Sequence, residues 1–68
     1  MKKKKEKLSD RELQVLELLI KGSSTKAIAA NLRITVRTVE THRSNMNRKL
    51  EAHNAAEAIH KAKKLKLI

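Results

Sequence analysis

Apolar residues return at helical intervals in four stretches of this chain. Leu13, Leu16, Leu19 and Ile20 mark the first, and Ile28, Ala29 and Leu32 the second. Val39, His42, Met46 and Leu50 share one side of the third, and Ala58, Ile59, Ala62 and Leu65 one side of the fourth, which Leu67 and Ile68 continue. The small residues Ala27, Ala29 and Ala30 let a neighbouring helix come close to the second stretch.

Residues between the stretches supply helix ends. Ser9 and Glu12 have capping-box spacing, in which hydroxyl and carboxylate satisfy first-turn amides reciprocally, and Leu8 and Leu13 are placed as a hydrophobic staple. Gly22, the only glycine, stands where a left-handed cap closes a helix. Ser24 and Thr35 are candidate N-caps, Arg33 and Ile34 fill a short turn, and Asn54 with Glu57 forms a second capping box. The predicted helices cover residues 10–21, 25–32, 36–50 and 55–65, a compact all-α four-helix domain over residues 8–68 with helices two and three joined by a tight turn. Residues 1–7 read as a disordered basic arm.

A chain of 68 residues is one domain, and with no Cys neither a disulfide nor a thiolate metal site supplements its core. Val15 to Ile20, the longest apolar run, is broken by Glu17 and falls far short of the roughly 20 residues of a membrane span. The lysine-rich start lacks the apolar stretch of a signal peptide, so a cytoplasmic location is expected. Seventeen Lys and Arg against seven Asp and Glu, a net charge of +10, point to a polyanionic partner rather than a membrane. The absence of Phe, Tyr and Trp disfavours single-strand binders that stack bases on aromatic rings, leaving duplex recognition.

The third helix carries a polar face of Arg37, Glu40, Thr41, Ser44 and Arg48. A carboxylate such as Glu40 accepts from cytosine N4, and the Thr41 methyl suits a thymine methyl. Arg37, Arg43 and Arg48 reach phosphates or, for one of them, guanine O6 and N7. His42, His53 and His60 are spaced by 11 and 7 residues, which is no zinc pattern, and no acidic cluster joins them; neither metal, cofactor nor catalysis is expected. His42 reads as a partly buried packing residue able to donate to a phosphate. Glu12 and Glu17 read as capping and solvating groups; surfaces that touch RNA polymerase are built of such residues, but nothing singles these out.

The segments LSDRELQVLELLIKG, STKAIA and TVETHRSNMNRKL, in this order and register, resemble the LuxR/FixJ-type (GerE-like) helix-turn-helix domain of bacterial transcription regulators. The likeness spans Leu8 to about Ala62. It implies a helix-turn-helix at about residues 23–42, a third helix that enters the major groove of double-stranded DNA, and a fourth helix supplying a weak homodimer contact through Ala58, Ile59 and Ala62. It also implies base contacts from Glu40, Thr41 and Ser44. Phosphate contacts are implied for Ser24, Thr25, Lys26, Arg37, Thr38, His42, Arg43 and Arg48. Three features depart from the family pattern: Glu51 and Arg33 stand where glycine is frequent, and the fourth helix is rich in alanine. Members usually carry a further N-terminal domain, so the chain is expected to be a free-standing regulator or an excised effector domain. Two alternatives remain: the promoter-reading region of a sigma factor, and an interaction module that pairs with a related regulator and blocks it.

Overall fold

The computed structural model describes residues 7–67; the rest of the expected basic arm, and Ile68, lie outside the described residues. Four helices follow in order: α1 (Asp10–Ile20), α2 (Thr25–Leu32), α3 (Val36–Leu50) and α4 (Ala55–Lys64), with no strand among the described residues. Each opens on a side-chain cap. Ser9 Oγ accepts from the Glu12 amide and Glu12 Oε1 from the Ser9 amide, while Ser24, Thr35 and Asn54 accept from Ala27, Thr38 and Glu57. The second capping box is only half made. Glu57 returns its carboxylate to the His53 amide at 2.6 Å, one residue before the expected Asn54.

All four helices close with the same pair of bonds. Ser23 donates to Leu18 O and Gly22 to Leu19 O; Ile34 and Arg33, Ala52 and Glu51, and Leu67 and Lys66 repeat the pattern. The motif needs a left-handed residue, and Gly22 takes φ 87° without strain. Arg33 (φ 59°), Glu51 (φ 55°) and Lys66 (φ 61°) take it with a side chain, which costs about 1–2 kcal/mol each. Glu51→Gly is therefore expected to stabilise the fold by a net ~0.5–1 kcal/mol after glycine's extra unfolded-chain entropy, raising the thermal midpoint by a few degrees in a calorimetric scan. An unchanged or lowered midpoint would refute the strain.

Helix α3 is the shared wall of two clusters. Its first half sets Val39 against Val15, Ile28 and Ala29, with Leu18, Leu32 and Ile34 at the margin. Its second half sets Met46 and Leu50 against Leu16, Ala58 and Ala62, with Leu8, Ala52 and Ile59 packed on. Leu19 borders both. α2 and α4 each pack on α1 and α3 and not on each other.

The inward line of α1 differs from the expected one. Glu12, Val15 and Leu16 are buried, Leu13 and Leu19 are half-buried, and Ile20 is exposed. The face is turned by about one residue because α1 must meet α3 while touching both flanking helices. Glu12 is thereby drawn inside, 4% exposed, rather than solvated. Its Oε1 also takes a hydrogen bond from Lys49 Nζ at 2.9 Å, and that ammonium, only 16% exposed, reaches Lys7 O at 3.3 Å. Burial pushes the Glu12 carboxyl up, but the Ser9 amide and Lys49 more than offset this and hold it below its ordinary value.

Candidate nucleic-acid interface

Ile34 and Thr35 carry the chain from α2 into α3 after left-handed Arg33, and the Ile34 amide closes back on Ala29 O at 3.0 Å. Ile34 itself is packed against the cluster containing Ile28 and Val39, which holds the two helices together at the turn. A side-chain strut adds to this: Arg43 Nη1 donates to Thr25 Oγ1 at 3.0 Å, tying the middle of α3 to the first residue of α2. Two residues expected to touch phosphate are thus brought together, and both are half-buried.

With Val39 and Met46 fully buried, the helical period turns Glu40, Thr41 and Ser44 outward, and all three are exposed, as are Arg37 and Arg48. Thr41 Oγ1 donates to Arg37 O at 3.1 Å, which commits its proton to the helix and leaves its methyl as the apolar group it presents. Thr38 is half-buried, its hydroxyl 2.9 Å from that of the Thr35 cap. At the opening of α2, Ser24 and Lys26 are exposed beside amides that the helix leaves unpaired, an arrangement suited to an anion.

Glu40, Arg43, Ser44 and Asn47 line one shallow concavity along α3. Asn47 was not among the residues picked out from sequence. The only available signal was its spacing, three residues beyond Ser44 and seven beyond Glu40, which continues the same face.

The α4 residues behave differently from the expectation. Ala58 and Ala62 are 0% exposed, sealed against Leu16, Met46 and Leu50, so neither reaches a second chain; Ile59 is half-buried on the same cluster. Their small side chains serve the close approach of α4 to α3 instead. The three histidines stand in separate settings: His42 half-buried in α3, His53 Nδ1 3.0 Å from Glu57, and His60 exposed on α4.

The pattern shared by "Bacterial regulatory proteins, luxR family" matches residues 6–62. The response regulator protein VraR of Staphylococcus aureus is 43% identical over 54 residues, which cover 79% of this chain and 26% of VraR. Two solved structures are similar in shape. The response regulator ChrA of a heme-sensing two-component system matches 97% of this chain and 33% of its own, with a TM-score of 0.90 and 38% identity. The transcription factor GerE matches 87% of this chain and 88% of its own, at a TM-score of 0.83 and 36% identity. Against curated relatives the chain spans only 26% to 35% of their length. On this combination of sequence pattern and four-helix shape, the chain belongs to the LuxR family of bacterial regulatory proteins and has the GerE-like helix-turn-helix fold.

Proposed function

We propose that this domain reads double-stranded DNA sequence-specifically for a transcription regulator, with α3 in the major groove. The observation that carries the reading is the division of α3: Val39, Met46 and Leu50 are buried, while Glu40, Thr41 and Ser44 are presented together on the outside. Glu40 accepts from cytosine N4, Thr41 packs its methyl on thymine, and Ser44 bonds to either kind of base edge. Ser24, Thr25 and Lys26 at the opening of α2, with Arg37, Thr38, His42, Arg43 and Arg48, hold the flanking phosphates. Arg43 does so from a position set by Thr25. None of this is catalysis, and the setting is the bacterial cytoplasm.

The outward residues of α4, among them Ala56, His60 and Lys63, offer little apolar surface, which suits a weak homodimer held together by two half-sites about one helical turn apart. With Glu12 turned inward, Glu17 is the member of the acidic pair on α1 left for contact with RNA polymerase.

Selection from a randomised duplex pool, followed by anisotropy titration of enriched and scrambled duplexes, tests the proposal. A preference of at least roughly 10³-fold is expected. Thr41→Lys should cost about 1–3 kcal/mol on the enriched duplex and reorder the preferred bases, whereas Lys26→Ala should weaken all duplexes alike. If Thr41→Lys leaves the ranking of duplexes intact, α3 is not the reading element.

A further inference from the structure

The side-chain Oδ1 of Asn47 is buried and has no hydrogen-bond partner. It is the sole such side-chain atom among the described residues, and native proteins seldom leave a buried acceptor in this state without a reason. Folding alone supplies none. Asn47 borders fully buried Met46 in sequence and is itself half-buried, a setting where an apolar side chain would raise no unmet polar demand.

A reason lies along the outer face of α3. Asn47 shares the shallow concavity with Glu40, Arg43 and Ser44. From Glu40 to Asn47 the helix rises about 10 Å, at about 1.5 Å per residue, close to three base-pair steps of about 3.4 Å. Glu40 offers an acceptor and Ser44 a hydroxyl. An Asn amide offers a donor and an acceptor side by side, the pattern that pairs with adenine N7 and N6.

We infer that Asn47 is a further specificity residue, reading an adenine at the far end of the stripe that Glu40 begins. In the unbound protein its Oδ1 is turned in and unsatisfied; on the duplex the side chain rotates so that both amide atoms meet the base edge. The unmet acceptor of the unbound state and the bidentate pair of the bound state then favour the same movement. The inference rests on the DNA-reading assignment, which it extends by one residue and one base.

Asn47→Leu, with Asn47→Ala as the smaller companion, tests it on the full chain. Each is expected to bind the enriched duplex about 10- to 100-fold more weakly, to relax base preference at a single outer position, and to leave binding to the scrambled duplex unchanged. Asn47→Leu should also melt no lower than the parent, since it removes the unpaired acceptor; if it fails to fold, Asn47→Ala carries the comparison. A parent chain that ranks duplexes while both folded variants keep its affinity and base preferences would overturn the role of Asn47 alone. A parent chain that ranks no duplex would overturn the DNA-reading assignment and this inference together.

Discussion

Raising monovalent salt from about 50 to about 200 mM is expected to weaken binding of one domain to a single half-site by about 150-fold. Four cationic side chains are assigned to the proposed phosphate track: Lys26, Arg37 and Arg48, all exposed, and half-buried Arg43. Each neutralised phosphate releases condensed counterions, and the logarithm of affinity falls by about 0.9 per contact for each decade of salt. Four contacts give a slope of about −3.6. Two domains on paired half-sites double it to about −7, so the slope also counts the protomers bound. Arg37→Ala should make the slope shallower by about 0.9 without changing which duplex is preferred. A slope near −1 for the parent chain would mean that these four side chains do not lie along the backbone. The remaining lysines raise non-specific attraction generally, and a scrambled duplex measured in parallel separates that contribution.

Glu12→Ala is expected to remove about 2–4 kcal/mol of folding stability and to lower the thermal midpoint by roughly 10–25 °C. One carboxylate oxygen accepts from both the Ser9 amide and Lys49, so the substitution opens the cap of α1 and strands an ammonium that is only 16% exposed. For a domain whose total stability is about 3–5 kcal/mol, that is most of the margin. Chemical denaturation followed by circular dichroism reads the effect, and a loss under about 0.5 kcal/mol would show that the pair merely decorates the surface. Lys49→Met in the same background should recover part of the loss by removing the stranded charge.

The same group sets an acid limit. Because the Glu12 carboxyl lies below its ordinary 4.5 in the folded chain, its contribution is present above that value and disappears as pH falls through the folded value. Glu57 is also lowered, chiefly by the His53 amide, and acts in the same window. The difference between parent and Glu12→Gln stability curves isolates the Glu12 part and should shrink toward acid pH. A difference that grows instead would contradict the depressed value.

Helix ends were legible in the sequence because they are local chemistry. Ser9, Ser24, Thr35 and Asn54 each cap within three residues of themselves, and Gly22 closes α1 as a glycine should. Which side of a helix faces in was legible only where the pattern was sparse. Helix α3 has few apolar residues, so Val39, Met46 and Leu50 define its inner face. In α1, Leu13, Val15, Leu16, Leu18, Leu19 and Ile20 crowd into eight positions, and packing against three other helices selects the phase. Alanine carries the same ambiguity: Ala58 and Ala62 suit a core or an interface equally, and only the nearness of α3 decides. The left-handed turns at Arg33 and Glu51 were signalled only by the family resemblance, which has glycine there, and that at Lys66 by nothing; the connections impose the conformation on residues that resist it. Asn47 escaped because the burial of a single oxygen atom depends on neighbours that sequence spacing cannot rank.

The division of α3 into a buried side and a presented side also bears on how such a domain changes over generations. Glu40, Thr41 and Ser44 make no side-chain contact that the core depends on, so if they read bases as proposed, substitutions there redirect the domain to new sequences while its thermostability drifts little. Arg43 is less separable, because it is braced against Thr25, so on the proposed reading a change there alters DNA contact and the packing of α2 on α3 at once. Lineages diverging in target sequence should accordingly accumulate replacements first at the three outward positions, with the braced Arg43 following only alongside compensating changes.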